Sequence, residues 1–341
     1  MIFNPCSSSV CLFDKTPTES IIFFEIFTLV SVVLLLWILS RNIKHIWLKF
    51  GVMAMGIFIF EFFTHPLWYN LKMGSWAYVY RDVSWILTFG WSILIMVPIE
   101  IIDSLGKKLD EWKRFFLYLL SGLFLGILGE TVVVNLGIRW YSPETLEVIA
   151  GKFIPFLNIP LASLYYIPVF MALVIGFYKY WSFVIDKKLL VPIKKRRWVR
   201  DFIIAFVGVF LFEIMVEAMV TNARLPSWSY IYRDVSFLMT GGWIIIIWLA
   251  VSFVDKFFIH FDLVERFILY IFSATLITLP IEALLILNKF RLYGPSSTEN
   301  FSGFIIPLTT IPIEVAFAIP FYLSLIVAFN KYWMYILDNK K

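Results

Sequence analysis

Ser75-Trp76-Ala77-Tyr78-Val79-Tyr80-Arg81-Asp82-Val83-Ser84 returns 152 residues later as Ser227-Trp228-Ser229-Tyr230-Ile231-Tyr232-Arg233-Asp234-Val235-Ser236. The same offset, without a gap, pairs Glu61 with Glu213, Asn70 with Asn222, Trp91 with Trp243 and Glu130 with Glu282. It goes on to pair Arg139 with Arg291, Tyr141 with Tyr293, Pro160 with Pro312 and Lys179 with Lys331. A duplicated ancestor is the simplest cause. Between these anchors the apolar positions drift among Leu, Ile, Val and Phe, while the polar and aromatic set stays. That contrast points to where function sits, not to which function.

The stretches between the anchors are long and apolar. The chain is 61% hydrophobic and 16% charged, against about 25% charged for a soluble domain. A helix needs roughly 20 apolar residues to cross a bilayer core. The sequence therefore predicts an all-α, polytopic membrane protein with nine spans, near 21–40, 48–68, 84–102, 114–136, 153–182, 202–221, 236–254, 266–288 and 304–334. The fifth and ninth are long and contain Pro, which predicts a kink or a separate re-entrant piece before each. An eight-span reading would follow if the first run were a signal peptide. Against it, Lys15 is the only Lys or Arg ahead of that run, and the run is long for a signal core.

Four spans per repeat is an even number, so both halves enter the membrane in the same direction. The expected relation is a pseudo-two-fold axis along the membrane normal, as in parallel-repeat transporters. The organisation reads as 1–47, an outer tail and extra span; 48–186, the first four-helix repeat; 187–199, a basic linker; and 200–341, the second repeat. Of the 29 Lys and Arg, 20 fall after the odd-numbered spans and 9 on the other side. The positive-inside rule then places the N-terminus outside and the C-terminus in the cytoplasm. This topology accounts for the net charge of +5 without a nucleic-acid partner, and for the basic linker without an anionic-lipid site. No cofactor is called for. Metal chemistry is not expected either: His45, His65 and His260 lie far apart, and neither CxxC nor HExxH occurs. Cys6 and Cys11 in the outer tail suit a disulfide or two separate thiols equally.

The repeated motifs fall on the outer side in this topology. Trp76, Tyr80, Trp228 and Tyr232 read either as interfacial anchors or as part of a substrate surface. Arg81-Asp82 and Arg233-Asp234 stand at the entrance of spans 3 and 7. An Asp with Ser84 or Ser236 suits a helix cap. The Arg suits either an ion pair or bidentate binding of an anionic group such as phosphate. Arg139 and Arg291 open a second pair of outer loops and join the same candidate binding set.

Ionisable residues inside spans are costly, and they are functional candidates for that reason. Glu61, Glu130, Glu213 and Glu282 lie at matching depths in the two halves. Glu217, one helical turn beyond Glu213, and Glu314 belong to the second half alone; their repeat mates are His65 and Ala162. These six acids are expected to line one polar cavity in the outer half of the bilayer. The plainer reading has Glu61 and Glu130 and their mates paired with Arg81 and Arg139 and theirs, holding helices together. A carboxyl kept in apolar surroundings retains its proton and can donate it, and aromatic faces stabilise a carbocation.

Gly303-Phe-Ile-Ile-Pro-Leu-Thr-Thr-Ile-Pro-Ile-Glu-Val-Ala-Phe-Ala-Ile-Pro320, following Arg291-Leu292-Tyr293-Gly294-Pro295, resembles the heteromeric-type lycopene cyclases and carotenoid hydratases over about 30 residues per repeat. That superfamily of small polytopic membrane proteins carries a Pro-x-Glu-Glu element after an aromatic turn, and its acids are thought to protonate the polyene. Pro312-Ile313-Glu314-Val315 keeps one of the two acids, and Pro160-Leu161-Ala162 keeps neither. The resemblance implies a proton-donor role for Glu314 and lyase or isomerase chemistry on an isoprenoid. The expectation is thus a membrane-embedded enzyme acting on an isoprenoid-, carotenoid-like or lipid partner. A proton-coupled transporter or lipid translocator is the alternative, and a non-catalytic membrane subunit the second.

Overall fold

The computed structural model describes residues 14–148, 152–187, 198–299 and 301–338. Cys6, Cys11 and most of the basic linker lie outside the described residues. In chain order the structure forms α1 (Glu19–Ser40), α2 (Ile46–Thr64), β1 (Trp68–Asn70), β2 (Tyr78–Tyr80), β3 (Val83–Ser84), α3 (Trp85–Leu105), α4 (Glu111–Asn135), β4 (Arg139–Tyr141), α5 (Pro143–Val148) and α6 (Ser163–Ile185). It continues with α7 (Trp198–Val216), β5 (Val220–Asn222), β6 (Tyr230–Tyr232), β7 (Val235–Ser236), α8 (Phe237–Phe257), α9 (Leu263–Leu287), β8 (Arg291–Tyr293), α10 (Pro295–Thr298) and α11 (Ile313–Asp338). From α2 to α4 and from α7 to α9 the element bounds repeat at the 152-residue offset, residue for residue.

Among the described residues eight helices are long and apolar enough to cross a membrane: α1, α2, α3, α4, α6, α8, α9 and α11. That makes the chain an integral, multi-pass membrane protein. The sixth expected span is present as α7, but its 19 residues include Arg200, Asp201 and Glu213, so it lacks the apolar length of the others. The fifth and ninth spans are shorter than expected. Their helices begin at Ser163 and Ile313, and the chain ahead of each folds back on itself through the bridges Phe153↔Pro160 and Ile305↔Pro312. Pro cannot donate to a helix interior, and these turns precede the helical register.

The structure is also not purely helical. Among the described residues the loops between the helices form four two-stranded antiparallel pairs. β1 pairs with β4 (Trp68↔Tyr141, Asn70↔Arg139), and β5 with β8 (Val220↔Tyr293, Asn222↔Arg291). β2–β3 and β6–β7 are hairpins whose turns carry Arg81 at φ 46° and Arg233 at φ 45°, a region that side-chain-bearing residues enter at a cost. The alternation Trp-x-Tyr-x-Tyr suits a strand, but it is short beside the flanking apolar runs. Ser84 caps α3 by accepting the Leu87 N–H at 3.4 Å, and Ser236 caps α8 by accepting the Leu238 N–H at 3.3 Å. The caps expected of the Arg-Asp motif thus come from the serines, not from Asp82.

The chain divides into two compact units, one ending at Met171 and the other beginning at Ala172. In the first, α3 packs against α1, α2 and α4. The core joins Ile21 of α1 to Met73, Ala77, Ile86, Leu87, Val133 and Ile138. In the second, α8 packs against α7 and α9, and α11 against the same two helices. Gly176 of α6 lies so close to α11 that a Cβ there would stand 2.8 Å from the Phe329 ring.

Candidate functional site

Each unit holds a buried polar cluster around one arginine. In the first, Arg139 at the start of β4 reaches Glu130 of α4, with Nε 3.8 Å from Oε1. Its charge also acts on Glu61 of α2. The Tyr141 hydroxyl donates to Glu130 at 2.6 Å, and the Thr88 hydroxyl of α3 donates to Glu61 at 2.6 Å. The β1–β4 pairing sets this geometry. It fixes Arg139 and Tyr141 by the C-terminal ends of α2 and α4, which a flexible loop would not do. Burial, and then the neighbouring Glu130 charge, raise the Tyr141 phenol well above its usual range, so it stays a donor.

The second unit rebuilds this arrangement. Arg291 Nε lies 3.4 Å from Glu282 Oε1, and its charge acts on Glu213. Tyr293 donates to Glu282 at 2.7 Å, and Thr240 donates to Glu213. The Tyr293 phenol is raised for the same reasons as its mate. All four glutamates and both arginines are buried. Of the paired acids, Glu130 and Glu282 thus meet the arginines expected of them. Glu61 and Glu213 rest on threonines as well, a partner the spacing did not suggest.

In chemical terms, each cluster opposes one guanidinium to two carboxylates. With both ionised, each cluster carries one negative charge in excess, and one proton would cancel it.

The units diverge four residues further along the chain from Glu61 and Glu213. In the first, His65 Nδ1 lies 3.3 Å from Asp82 Oδ1. The Asp82 carboxylate also accepts the Asn70 N–H at 3.4 Å, and the Asn70 side chain donates to the Asp82 carbonyl at 3.0 Å. In the second, Asn222 keeps the bond to the Asp234 carbonyl at 2.8 Å. The place of His65 is taken by Glu217, whose Oε1 lies 3.7 Å from Arg233 Nε. Glu217 Oε2 and Glu213 Oε1 are buried with no hydrogen-bond donor among the described residues, and Arg291 Nη2 is buried with no hydrogen-bond acceptor among them.

Glu314, at the start of α11, accepts the Ser302 N–H at 2.6 Å through Oε1, and its Oε2 is buried. It therefore ties the turn ahead of α11 to the helix.

The remaining expected residues lie at the periphery. Trp76 and Trp228 are exposed and edge against Trp85 and Phe237. Arg81 and Arg233 lie over the rings of Tyr80 and Tyr232, at 5.4 and 5.6 Å.

Two further sets were not singled out by sequence reasoning. At the far end of the helices Tyr118 donates to Asp103, which Arg114 also meets at 3.1 Å. In the second unit Tyr270 donates to Asp255, and the buried Lys331 donates to Asp255 at 2.9 Å. The repeat offset carries the signal, since it pairs Asp103 with Asp255 and Tyr118 with Tyr270. The other is Glu25 of α1. It is fully buried and accepts the Gly74 N–H at 2.6 Å. At the 152-residue offset Glu25 meets Phe177 of α6, so the repeat carries no signal for it. Comparison of the chain with protein-family models, with curated proteins and with solved structures finds no match.

Proposed function

We propose that the chain is a nine-span membrane protein that carries out acid chemistry on an isoprenoid-like or lipid substrate from the outer half of the bilayer. In this reading α7 is the sixth span, the N-terminus is outside, and the two parallel repeats are related by a pseudo-two-fold axis along the membrane normal. The first repeat serves as scaffold. The second carries the reaction, with Glu217 and Glu314 as the proton donors and Glu213, Arg291 and Glu282 as the charge reserve behind them.

One observation carries the reading. The second unit keeps the Thr–Glu, Tyr–Glu, Arg–Glu and Asn–Asp contacts of the first and adds two carboxyls, Glu217 and Glu314, whose mates are His65 and Ala162. Neither belongs to the network that the two units share. Glu217 engages one oxygen and keeps the other buried, where a proton can reside, and Glu314 accepts the Ser302 N–H. The resemblance around Glu314 to carotenoid-modifying proteins supports a polyene as the acceptor. Protonation at an alkene carbon would give a carbocation. Loss of a different proton to a carboxylate would then return the acid, with the double bond moved or a ring closed.

The test uses membranes containing the protein, in D2O, with lycopene as the added polyene. Acid chemistry installs carbon-bound deuterium in lycopene or in the membrane isoprenoids, read by mass spectrometry. No deuterium above membranes lacking the protein overturns the reading. A second reading, a proton-coupled carrier, is favoured by the cluster being built twice with the same partners. It predicts proton flux into sealed vesicles without any carbon–deuterium bond.

A further inference from the structure

We propose that the second unit carries a proton route along the buried stripe of α9, from Asp255 at one end of the helices to the Arg291 cluster at the other. The route deepens the proton-moving reading of that cluster, on which it rests. The stripe consists of Phe267, Tyr270, Ala274, Thr278 and Glu282. Both of its ends are polar. Tyr270 and Lys331 meet Asp255, and Glu282 meets Tyr293 and Arg291.

The two halves of the chain share the ends of the stripe and differ in its middle. The ends recur in the first unit as Tyr118 with Asp103 and Glu130 with Tyr141. Between them, Gly122, Leu123 and Gly126 of α4 become Ala274, Thr275 and Thr278 of α9. At its two glycines the first unit has no room for a side chain. A Cβ on Gly122 would stand 2.5 Å from Met171 Sδ, and one on Gly126 2.7 Å from Ile167 Cγ2. The second unit sets hydroxyls at this level. Thr278 is 1% exposed, and the hydroxyl oxygens of Thr275 and Thr278 are buried with no hydrogen-bond partner among the described residues.

Burying an unpaired hydroxyl is unfavourable, and an internal water removes that penalty. Two such hydroxyls about one turn apart, with ionisable groups above and below them, select a file of water. Helical rise makes the steps about 6 Å from Glu282 to Thr278, about 4.5 Å on to Thr275 and about 7.5 Å on to Tyr270. One or two waters span each step, at about 2.8 Å per hydrogen bond.

A hydroxyl both donates and accepts. It takes a proton from one neighbour as it gives its own to the next, and its charge does not change. A divalent cation would need about six oxygen ligands, which two threonines do not offer. Both ends of the route approach the surface. The Asp255 side chain is 23% exposed. At the other end Glu213 leads one turn on to Glu217, whose partner Arg233 has a side chain 37% exposed. A proton taken from water at Asp255 is matched by one released to water beside Glu217.

The test is proton flux into phosphatidylcholine vesicles that hold the purified chain and a pH-sensitive dye. A potassium gradient with valinomycin sets the interior negative. The interior is expected to acidify faster than in protein-free vesicles. Thr278→Val is expected to slow that flux about tenfold, the effect of losing one ordinary hydrogen bond from the limiting step. Thr278→Ser, which restores the hydroxyl, is expected to keep the flux. Flux that Thr278→Val and Thr275→Val leave unchanged overturns the route and leaves the proton-moving reading standing. Flux lost equally in Thr278→Val and Thr278→Ser overturns the route as well. Vesicles no more permeable than protein-free ones overturn both. Carbon-bound deuterium, the readout of the acid chemistry, is independent of all these outcomes.

Discussion

His65 and Glu217 occupy the same position in the two units, one turn beyond a glutamate that a threonine holds in place, and they meet opposite company. His65 faces Asp82, a carboxylate already engaged by Asn70. Glu217 turns to Arg233 and leaves an oxygen buried without a donor. In the cluster beside them the units share the Thr–Glu, Tyr–Glu and Arg–Glu contacts. Duplication copied a scaffold, and the substitutions at 65/217 and 162/314 changed its charge on one side only. A contact present in both units is explained by what the fold requires. A contact present in one calls for a reason of its own.

Removal of the arginine tests the shared part most severely. Arg139→Ala and Arg291→Ala each leave two buried carboxylates without their counter-charge, and breaking a buried pair in this way costs about 3–5 kcal/mol. Both variants should unfold at much lower temperature in detergent. A large loss in one and none in the other would break the equivalence of the two clusters. Tyr141→Phe and Tyr293→Phe remove one hydrogen bond to a charged acceptor each, about 1.5–3 kcal/mol, and the two losses should match in thermal or denaturant unfolding.

A smaller effect separates the units. Glu25→Gln keeps the shape but replaces a charged acceptor by a neutral one at Gly74 N–H. It should cost about 1 kcal/mol, measured by the same unfolding assay. No second-unit variant mimics it, because the mate of Gly74 is Pro226, which has no N–H to offer. The smallest effect belongs to the exposed rim. Trp228→Ala should change stability by less than about 0.5 kcal/mol. A greater loss would show that the rim aromatics are part of the folded core.

Much of this comparison was legible beforehand. The helices from α2 to α4 and from α7 to α9, the matched acids and their arginines followed from hydropathy and from a single offset of 152 residues. The hairpins of the outer loops did not, since runs of two or three strand residues carry too few alternations to register beside 20-residue apolar stretches. The threonine partners Thr88 and Thr240 were hidden because a Thr inside an apolar run looks like a β-branched filler until its hydroxyl is placed. Glu25 was hidden by standing in the one helix the repeat does not copy. The length and prolines of the ninth span allowed a separate piece ahead of α11, and the Ile305↔Pro312 bridge is that piece; its apolar residues hid where the helix starts.

The account stands on the second unit's unmatched acids. Carbon-bound deuterium incorporated from D2O should be measured for four variants in one assay: Glu217→Gln and Glu314→Gln beside His65→Gln and Glu61→Gln, each first shown to keep its thermal transition. The account predicts that the first two abolish incorporation and that the second two retain it. Equal loss in all four, or retention in Glu217→Gln and Glu314→Gln, would contradict it.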